Sequence, residues 1–365
     1  MKKLIALLLS LLVVVGLFAG CSQEDPQQSS ATTAPADTEG GEDTTAGADD
    51  GYVVGYICKD LSQEWFQATL AALEETCLAN GAKQVIALDC EMNPEITLNH
   101  LDNLIAQQVD IIIICTPDQQ LSQTIVDRCD AAGIPVFADA DGLIVDGKHI
   151  APALELNAYD VGYGIGEWLA NYVNTEMDYE ADKEVIGYMR MTMNEVSSCV
   201  PRAEGAKDAF LEGVPGFDES KIIDANYDGT TEKGFDVANA TIAAHPEVTK
   251  WLVTAPNDEG ASGACRALEA AGLDKDACVV GAGAYMAKDE FKKDFSCMKA
   301  AAYFSAAEAG KQEGLAAMEY LKNGTEIFGE YKDTYEGDNE FGVYPLGGIM
   351  VDPSNYVEIM GADAE

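Results

Sequence analysis

The sequence predicts an α/β protein, with parallel sheets flanked by helices and arranged as two similar halves. Short apolar, β-prone runs alternate with longer stretches of helical spacing from residue 51 onward. That alternation implies parallel strands joined by crossover helices. A first cycle runs to about residue 138, and a second begins near residue 161. The part of the 365-residue chain beyond residue 50 is also longer than one compact core usually holds, so two lobes are expected.

In the first cycle, 52–58 is apolar and strand-like. A helix is expected over 65–80, where Phe66, Leu70, Leu73 and Cys77 recur at helical spacing and Gly81 follows as a terminator. Strand 85–88, helix 93–108, buried strand 111–115, helix 121–132 closed by Gly133, and strand 134–138 complete the cycle. The second cycle reads as helix 161–174, strand 184–191, helix 202–212, strand 222–226, helix 234–245 and strand 251–254. A helix at 261–271 and strands at 278–281 and 300–304 follow. Parallel sheets bind ligands beyond the carboxyl ends of their strands. A site is therefore expected in the loops at 59–64, 138–143, 193–201, 255–260 and 281–286.

The first 50 residues are of a different kind. Lys2 and Lys3 precede an apolar run over 4–15, then Gly16-Leu17-Phe18-Ala19-Gly20 and Cys21. A basic start, a short apolar stretch and small residues before the break describe a secretory signal over 1–20. The run is too short for a comfortable transmembrane helix, which needs about 20 residues. A Cys at the cleavage point resembles the lipobox of bacterial lipoproteins, in which that thiol is lipidated and becomes the new N-terminus. The resemblance implies a membrane anchor at Cys21 and a place in the cell envelope, on the outer face of the cytoplasmic membrane. Residues 21–50 contain no Lys, Arg or aromatic side chain and read as a flexible acidic linker.

Composition excludes several classes. The formal net charge is -41 and no Lys/Arg cluster stands in the mature chain, so nucleic acid and anionic lipid surfaces are repelled rather than bound. Beyond Cys21, nine cysteines are scattered without a C-x-x-C. Several lie inside apolar strand-like runs, as in 111–115, where Cys behaves as a small hydrophobe. An exported protein tolerating free thiols suits a poorly oxidising habitat, although one or two disulfides stay open, since sequence does not give connectivity. His100, His149 and His245 stand apart from one another and from the cysteines, so no metal and no cofactor is expected.

The candidate loops carry a resemblance. Residues 59–67 (Lys59 to Gln67), Ile114-Cys115-Thr116-Pro117-Asp118, Asn194-Glu195 with Arg202, and 245–252 through Asn257-Asp258 stand in a consistent order. Together they resemble the L-arabinose-binding branch of the type I periplasmic sugar-binding proteins of ABC importers, in the ribose/galactose-binding superfamily. The resemblance implies two Rossmann-like lobes joined by a three-segment hinge, with a ligand cleft between them. It places the crossovers near Leu156-Asn157, at 302–304 and within 334–347. The N-terminal lobe is then 51–156 plus 304–335, and the C-terminal lobe 157–303 plus 336–365. It carries ligand contacts onto Lys59, Gln63, Trp65, Phe66, Asp141, Leu156, Val196, Ser198, Arg202, Pro256, Asn257 and Tyr285. Four positions depart from the family: Gln63 stands for Glu, Ala140 for the first of an Asp pair, Pro256 for Met and Tyr285 for Asn. Asp139 is a substitute for the missing acid. Implied partners are a monosaccharide and ABC permease subunits, with the protein a monomer.

The chemistry of these residue types suits a sugar. Vicinal hydroxyls both donate and accept, so planar forked groups such as Asp141, Asn257 and the Arg202 guanidinium recognise them in pairs. Sugar C–H faces are apolar, and Trp65-Phe66 at a helix start offers an aromatic plate. Each residue also has a plainer role. Trp65 or Phe66 could be core, Asp118 and Asn257 helix caps, and Trp168 and Trp251 read as core. Arg202 at a helix start is a poor dipole partner, which favours a ligand role.

Asp224-Ala225-Asn226-Tyr227-Asp228-Gly229 matches the first half of a calcium loop, but Phe235 stands where the bidentate Glu belongs. An Asp/Gly-rich turn is the reading there. Gly281-Ala282-Gly283 lacks the third glycine of a dinucleotide fingerprint. No activated nucleophile, metal cluster or phosphate loop is present, so a binding protein that captures a monosaccharide for import is expected, not an enzyme. The same cleft would serve a sensory module that presents its ligand to a membrane receptor, and a secreted enzyme would declare itself by turnover. A sugar-sensing DNA repressor is excluded by the export signal.

Overall fold

The computed structural model describes residues 51–333 and 340–365, and within them two six-stranded sheets carry the architecture. The expected signal segment, Cys21 and the linker lie outside the described residues. The first half contains β1 (Tyr52–Cys58), α1 (Glu64–Ala79), β2 (Ala82–Asp89), α2 (Pro94–Ala106), β3 (Ile111–Ile114), α3 (Ser122–Ala132) and β4 (Val136–Ala138). A small hairpin, β5 (Ile144–Val145) with β6 (Lys148–His149), then leads to β7 (Ala153–Leu156). The second half runs through α4 (Ala158–Glu176), α5 (Tyr179–Asp182), β8 (Ile186–Thr192), α6 (Val200–Gly213), β9 (Ile222–Asn226), α7 (Thr231–Ala244) and β10 (Lys250–Thr254). It continues with α8 (Asp258–Ala271), β11 (Ala277–Gly283), α9 (Ala287–Phe291) and β12 (Met298–Tyr303). Last come α10 (Ala306–Asn323), β13 (Val343–Leu346), β14 (Ile349–Val351) and α11 (Tyr356–Met360).

The first sheet has the order β13-β7-β4-β3-β1-β2, the second β14-β12-β11-β10-β8-β9. Every pairing is parallel except β12 with β14. The buried run Ile111–Ile114 sits centrally, beside Val54 to Ile57 of β1. Strands covered on both faces read as unbroken apolar runs, which is why this one was plain in the sequence.

The chain passes between sheets after β7, after β12 and between β13 and β14. The expected assignment of 336–365 to the second half is corrected at one point. β13 pairs in parallel with β7, Val343 opposite Ala153, so 343–346 belong to the first sheet and the last passage falls at Gly347-Gly348. Two Gly in succession offer no side chain to pack, which leaves that passage to the strand pairings on either side.

Helix starts lie earlier than periodicity placed them. α4, α7 and α8 begin at Ala158, Thr231 and Asp258, three residues before the expected 161, 234 and 261. Their first turns are polar and held by caps: Asn157 accepts from Asp160 N, Thr230 from Lys233 N and Asn257 from Gly260 N. α10 was not expected at all. It buries Ala306, Ala309, Gly310, Gly314 and Ala317, small residues that carry little apolar signal.

Those small residues let helices meet backbone to backbone. A Cβ at Gly310 would stand 2.1 Å from the Thr69 carbonyl oxygen of α1, and one at Gly162 only 1.9 Å from that of Arg202 in α6. The second seam fixes the helix that carries Arg202.

Candidate ligand-binding site

The carboxyl ends of both sheets open onto one cavity. Lys59 follows β1 directly, and Gln63, Trp65 and Phe66 come with the start of α1. Ala140 and Asp141 follow β4, with Ala140 in the left-handed region at φ 60°. From the other half come Val196, Cys199 and Arg202 around the start of α6, Asn257 at the cap of α8, and Tyr285 after β11. Leu156 and Phe304 close the cavity where the chain passes between sheets.

Lys59 and Asp141 are each 5 % exposed and form an ion pair. Burial alone would lower the Lys59 ammonium, but the facing Asp141 carboxylate holds it well above its usual range. Lys59 Nζ also donates to Ser198 Oγ across the cleft at 2.9 Å, and Gln119 N donates to Ser197 Oγ at 3.0 Å. These bonds join the halves at the cavity edge. Trp65 Nε1 donates to the Phe304 carbonyl, and the two rings meet edge to face 5.8 Å apart.

Some buried polar atoms have no partner. Gln63 Nε2 and Arg202 Nε are both enclosed and unpaired. Arg202 otherwise donates to the Pro256 carbonyl and lies 5.7 Å from the centre of the Phe304 ring. Unsatisfied buried donors are costly unless something polar meets them.

Of the residues expected here, Lys59, Gln63, Trp65, Phe66, Asp141, Leu156, Val196, Arg202, Asn257 and Tyr285 line the cavity. Three do not. Ser198 turns its hydroxyl to Lys59, and Pro256 contributes its carbonyl to Arg202. Asp139 points away, beneath the sheet, where Tyr56 Oη donates to it at 2.8 Å. Asn257 is engaged at both ends of its amide, capping α8 and donating to the Gly229 carbonyl at 2.8 Å. Tyr285 spends its hydroxyl on Asp363 and Ala306 N, so only its ring serves the cavity. Asp118 caps the turn after β3, and Trp251 is fully buried.

Glu64, Met193, Asp258, Glu259, Gly283 and Met286 also line the cavity and were not singled out. All fall inside the expected loops, so strand ends were the signal. Met92 is different: it comes from the loop after β2, which was not searched. In the Asp/Gly-rich segment 224–229, Arg190 grips Asp224 through two bonds of 2.7 and 2.6 Å. Among the described residues no group of acids and imidazoles is arranged to hold a metal, and the nine cysteines are free and buried.

Asp139 faces Glu313 of α10, and both are 0 % exposed. Burial pushes the Asp139 carboxyl up to about 6, and burial with the Asp139 charge drives Glu313 well above the usual range. No hydrogen bond closes onto either Glu313 oxygen in this geometry; the two groups are near enough that a proton on Glu313 relieves their repulsion. An acid with a raised folded pKa contributes stability that is full below its unfolded pKa. That contribution is lost as pH rises toward the folded value, at up to about 1.4 kcal/mol per pH unit. Glu313→Gln keeps the shape and a donor without the proton. We therefore expect it to match the parent near pH 4.5 and to exceed it increasingly toward neutral pH in thermal melts. A variant less stable at every pH would show that Glu313 works ionised.

The fold and cavity define a two-lobed α/β binding protein, with a ligand chamber assembled from the strand ends of both sheets. The family model described as a periplasmic binding protein domain matches residues 54–326, and the chain belongs to that family. Membership makes it a binding protein, not an enzyme. It is 30% identical over 291 residues to an ABC transporter L-arabinose-binding periplasmic protein of Azospirillum brasilense, covering 76% of this chain and 84% of that one. It is also 30% identical over 236 residues to the L-arabinose-binding periplasmic protein of Escherichia coli K12, covering 63% and 69%. In three dimensions it matches a Bacillus halodurans ABC transporter solute-binding protein with bound myo-inositol, at TM-score 0.68 and 23% identity, covering 87% and 100%.

Proposed function

We propose that this chain is a lipid-anchored, extracytoplasmic solute-binding protein that captures a monosaccharide of arabinose or galactose type, or a polyol of similar size, for an ABC importer. The observation that carries the reading is the cavity itself. It sets an aromatic pair, Trp65 and Phe66, beside unpaired donors on Gln63 and Arg202, one from each half. A sugar presents an apolar face and hydroxyl edges, and both would be met there. The relatives named for L-arabinose agree with it.

Transport works through hinge closure in this reading. Contacts to both halves favour the closed state, which a permease can tell from the open one. The bonds from Lys59 to Ser198 and from Gln119 to Ser197 support a closed arrangement. No described helix is long and apolar enough to cross a membrane. In this reading Cys21 carries the lipid, and Cys21→Ser is expected to release the protein from membrane fractions. Persistence in those fractions would defeat the anchor.

The functional test is a thermal-shift panel of pentoses, hexoses, 6-deoxyhexoses, inositols and small non-sugar metabolites on the full chain. A ligand at about 100 times its dissociation constant adds roughly 2.7 kcal/mol, which raises the melting temperature by several degrees. Arg202→Ala should lose at least ~1.5 kcal/mol of that ligand's affinity, the lower range for a hydrogen bond to a charged group. Silence from every sugar and polyol with a shift from another compound would overturn the monosaccharide reading. Unchanged affinity in Arg202→Ala would remove Arg202 from the contacts.

A further inference from the structure

The cavity is unevenly charged. Among the described residues, its lining carries two cations, Lys59 and Arg202, against four carboxylates, Glu64, Asp141, Asp258 and Glu259. Lys59 is already paired with Asp141, and Arg202 is turned to a backbone carbonyl. That leaves Glu64 from α1 and Asp258 and Glu259 from α8 without a cation among the described lining residues.

Asp258 is 4 % exposed; its Oδ2 accepts from Met286 N at 2.9 Å, while its Oδ1 is enclosed and has no partner. The charges that bear most on the Glu259 carboxylate are those of Asp258, Asp60 and Glu64. On its other side stands Tyr227, which packs against Gly260 and feels both Glu259 and Arg202. No three of these groups converge as metal ligands do.

Carboxylates in a closing cleft must either take up protons or meet a positive charge. Burial pushes Asp258 up to about 7 and Glu259 up to about 8, which is the proton route taken while no cation faces them. An ammonium group offers three donors and no acceptor, and the Glu259 carboxylate, with Glu64 also lining the cavity, supplies acceptors for it.

We propose that Glu259, with Asp258 and Glu64 beside it, forms a cation subsite, and that the ligand is an amine-bearing polyol such as an amino sugar or amino-cyclitol. This rests on the monosaccharide reading of the cleft and narrows it. The ammonium group sits against Glu259 while the hydroxyls engage Gln63 and Arg202. Binding displaces the protons that burial had placed on the acids.

Calorimetric titration of the full chain near neutral pH tests this, with galactosamine, glucosamine and an amino-inositol beside galactose, glucose and inositol. Running it in two buffers of different ionisation heat counts released protons. The amine-bearing members are expected to bind about tenfold or more tightly than their hydroxyl parents, with proton release. Glu259→Gln should erase that preference. Parents binding as tightly as the amines, or a preference that survives in Glu259→Gln, overturns the cation subsite while leaving the monosaccharide reading intact. Failure of both classes to bind removes the monosaccharide reading and the subsite together.

Discussion

Replacing Lys59 by Met is expected to destabilise the protein by about 3–5 kcal/mol, the range for removing one partner of a buried ion pair. Asp141 is 5 % exposed and has no second cation among the described residues; its carboxylate also accepts from the Cys115 thiol at 3.5 Å. Without Lys59 its charge is stranded, and the link to Ser198 across the cleft is lost with it. At roughly 2–4 °C per kcal/mol the melting temperature should fall by about ten degrees. The companion experiment separates stability from function. Lys59→Met combined with Asp141→Leu removes both charges, and matched apolar replacement of a buried pair is close to neutral. The double variant should therefore melt near the parent yet show no shift with the parent's ligand. If the single variant were as stable as the parent, the pair would not be buried in solution. If the double variant still bound ligand, the pair would be structural only.

Gly162→Ala should also destabilise the protein, and for a reason that has nothing to do with charge. The new methyl would lie 1.9 Å from the Arg202 carbonyl oxygen, and backbone does not swing aside as a side-chain tip does. α4 and α6 must separate, which costs about 2–3 kcal/mol as overpacking, and Arg202 moves with α6. A neighbouring position on the same helix supplies the comparison. A Cβ at Gly164 would meet only Met350, at 3.8 Å. Both substitutions gain helix propensity of about 0.8–1.0 kcal/mol, so Gly164→Ala should stabilise and Gly162→Ala destabilise. The ligand-induced shift should also shrink in Gly162→Ala and persist in Gly164→Ala. Equal stability of the two variants would mean the helices do not meet backbone to backbone.

Most of the scaffold was legible because its signals are local. Strands such as Ile111–Ile114 are buried on both faces and read as unbroken apolar runs. Gly133 and Gly272 end helices at φ 69° and 70°, where a side chain is disfavoured. The loops at strand ends held most of the cavity residues because parallel sheets place all their carboxyl ends on one side. α10 escaped because Ala and Gly fill its buried face, and close approach to α1 does what large side chains do elsewhere.

The site divides along the same line. Residue types and their order along the chain determined that Lys59, Gln63, Trp65, Phe66, Asp141 and Arg202 would share a polar and aromatic chamber, since each stands at an element boundary that the pattern marks. What each side chain does there was decided by tertiary packing. Asp139 and Asp141 are two residues apart, yet one is buried against Glu313 and the other pairs with Lys59. Asn257 and Tyr285 reach the chamber with their polar atoms already committed to α8 and to Asp363. Glu259 gave no signal in the chain, because a lone acid in the first turn of a helix is ordinary. It stands out only once folding has brought Asp258, Glu64 and Asp60 beside it with no cation among them. Pattern along a chain reports which face of an element is apolar. Partner choice among buried polar groups depends on distances between elements far apart in sequence, and those exist only in the folded protein.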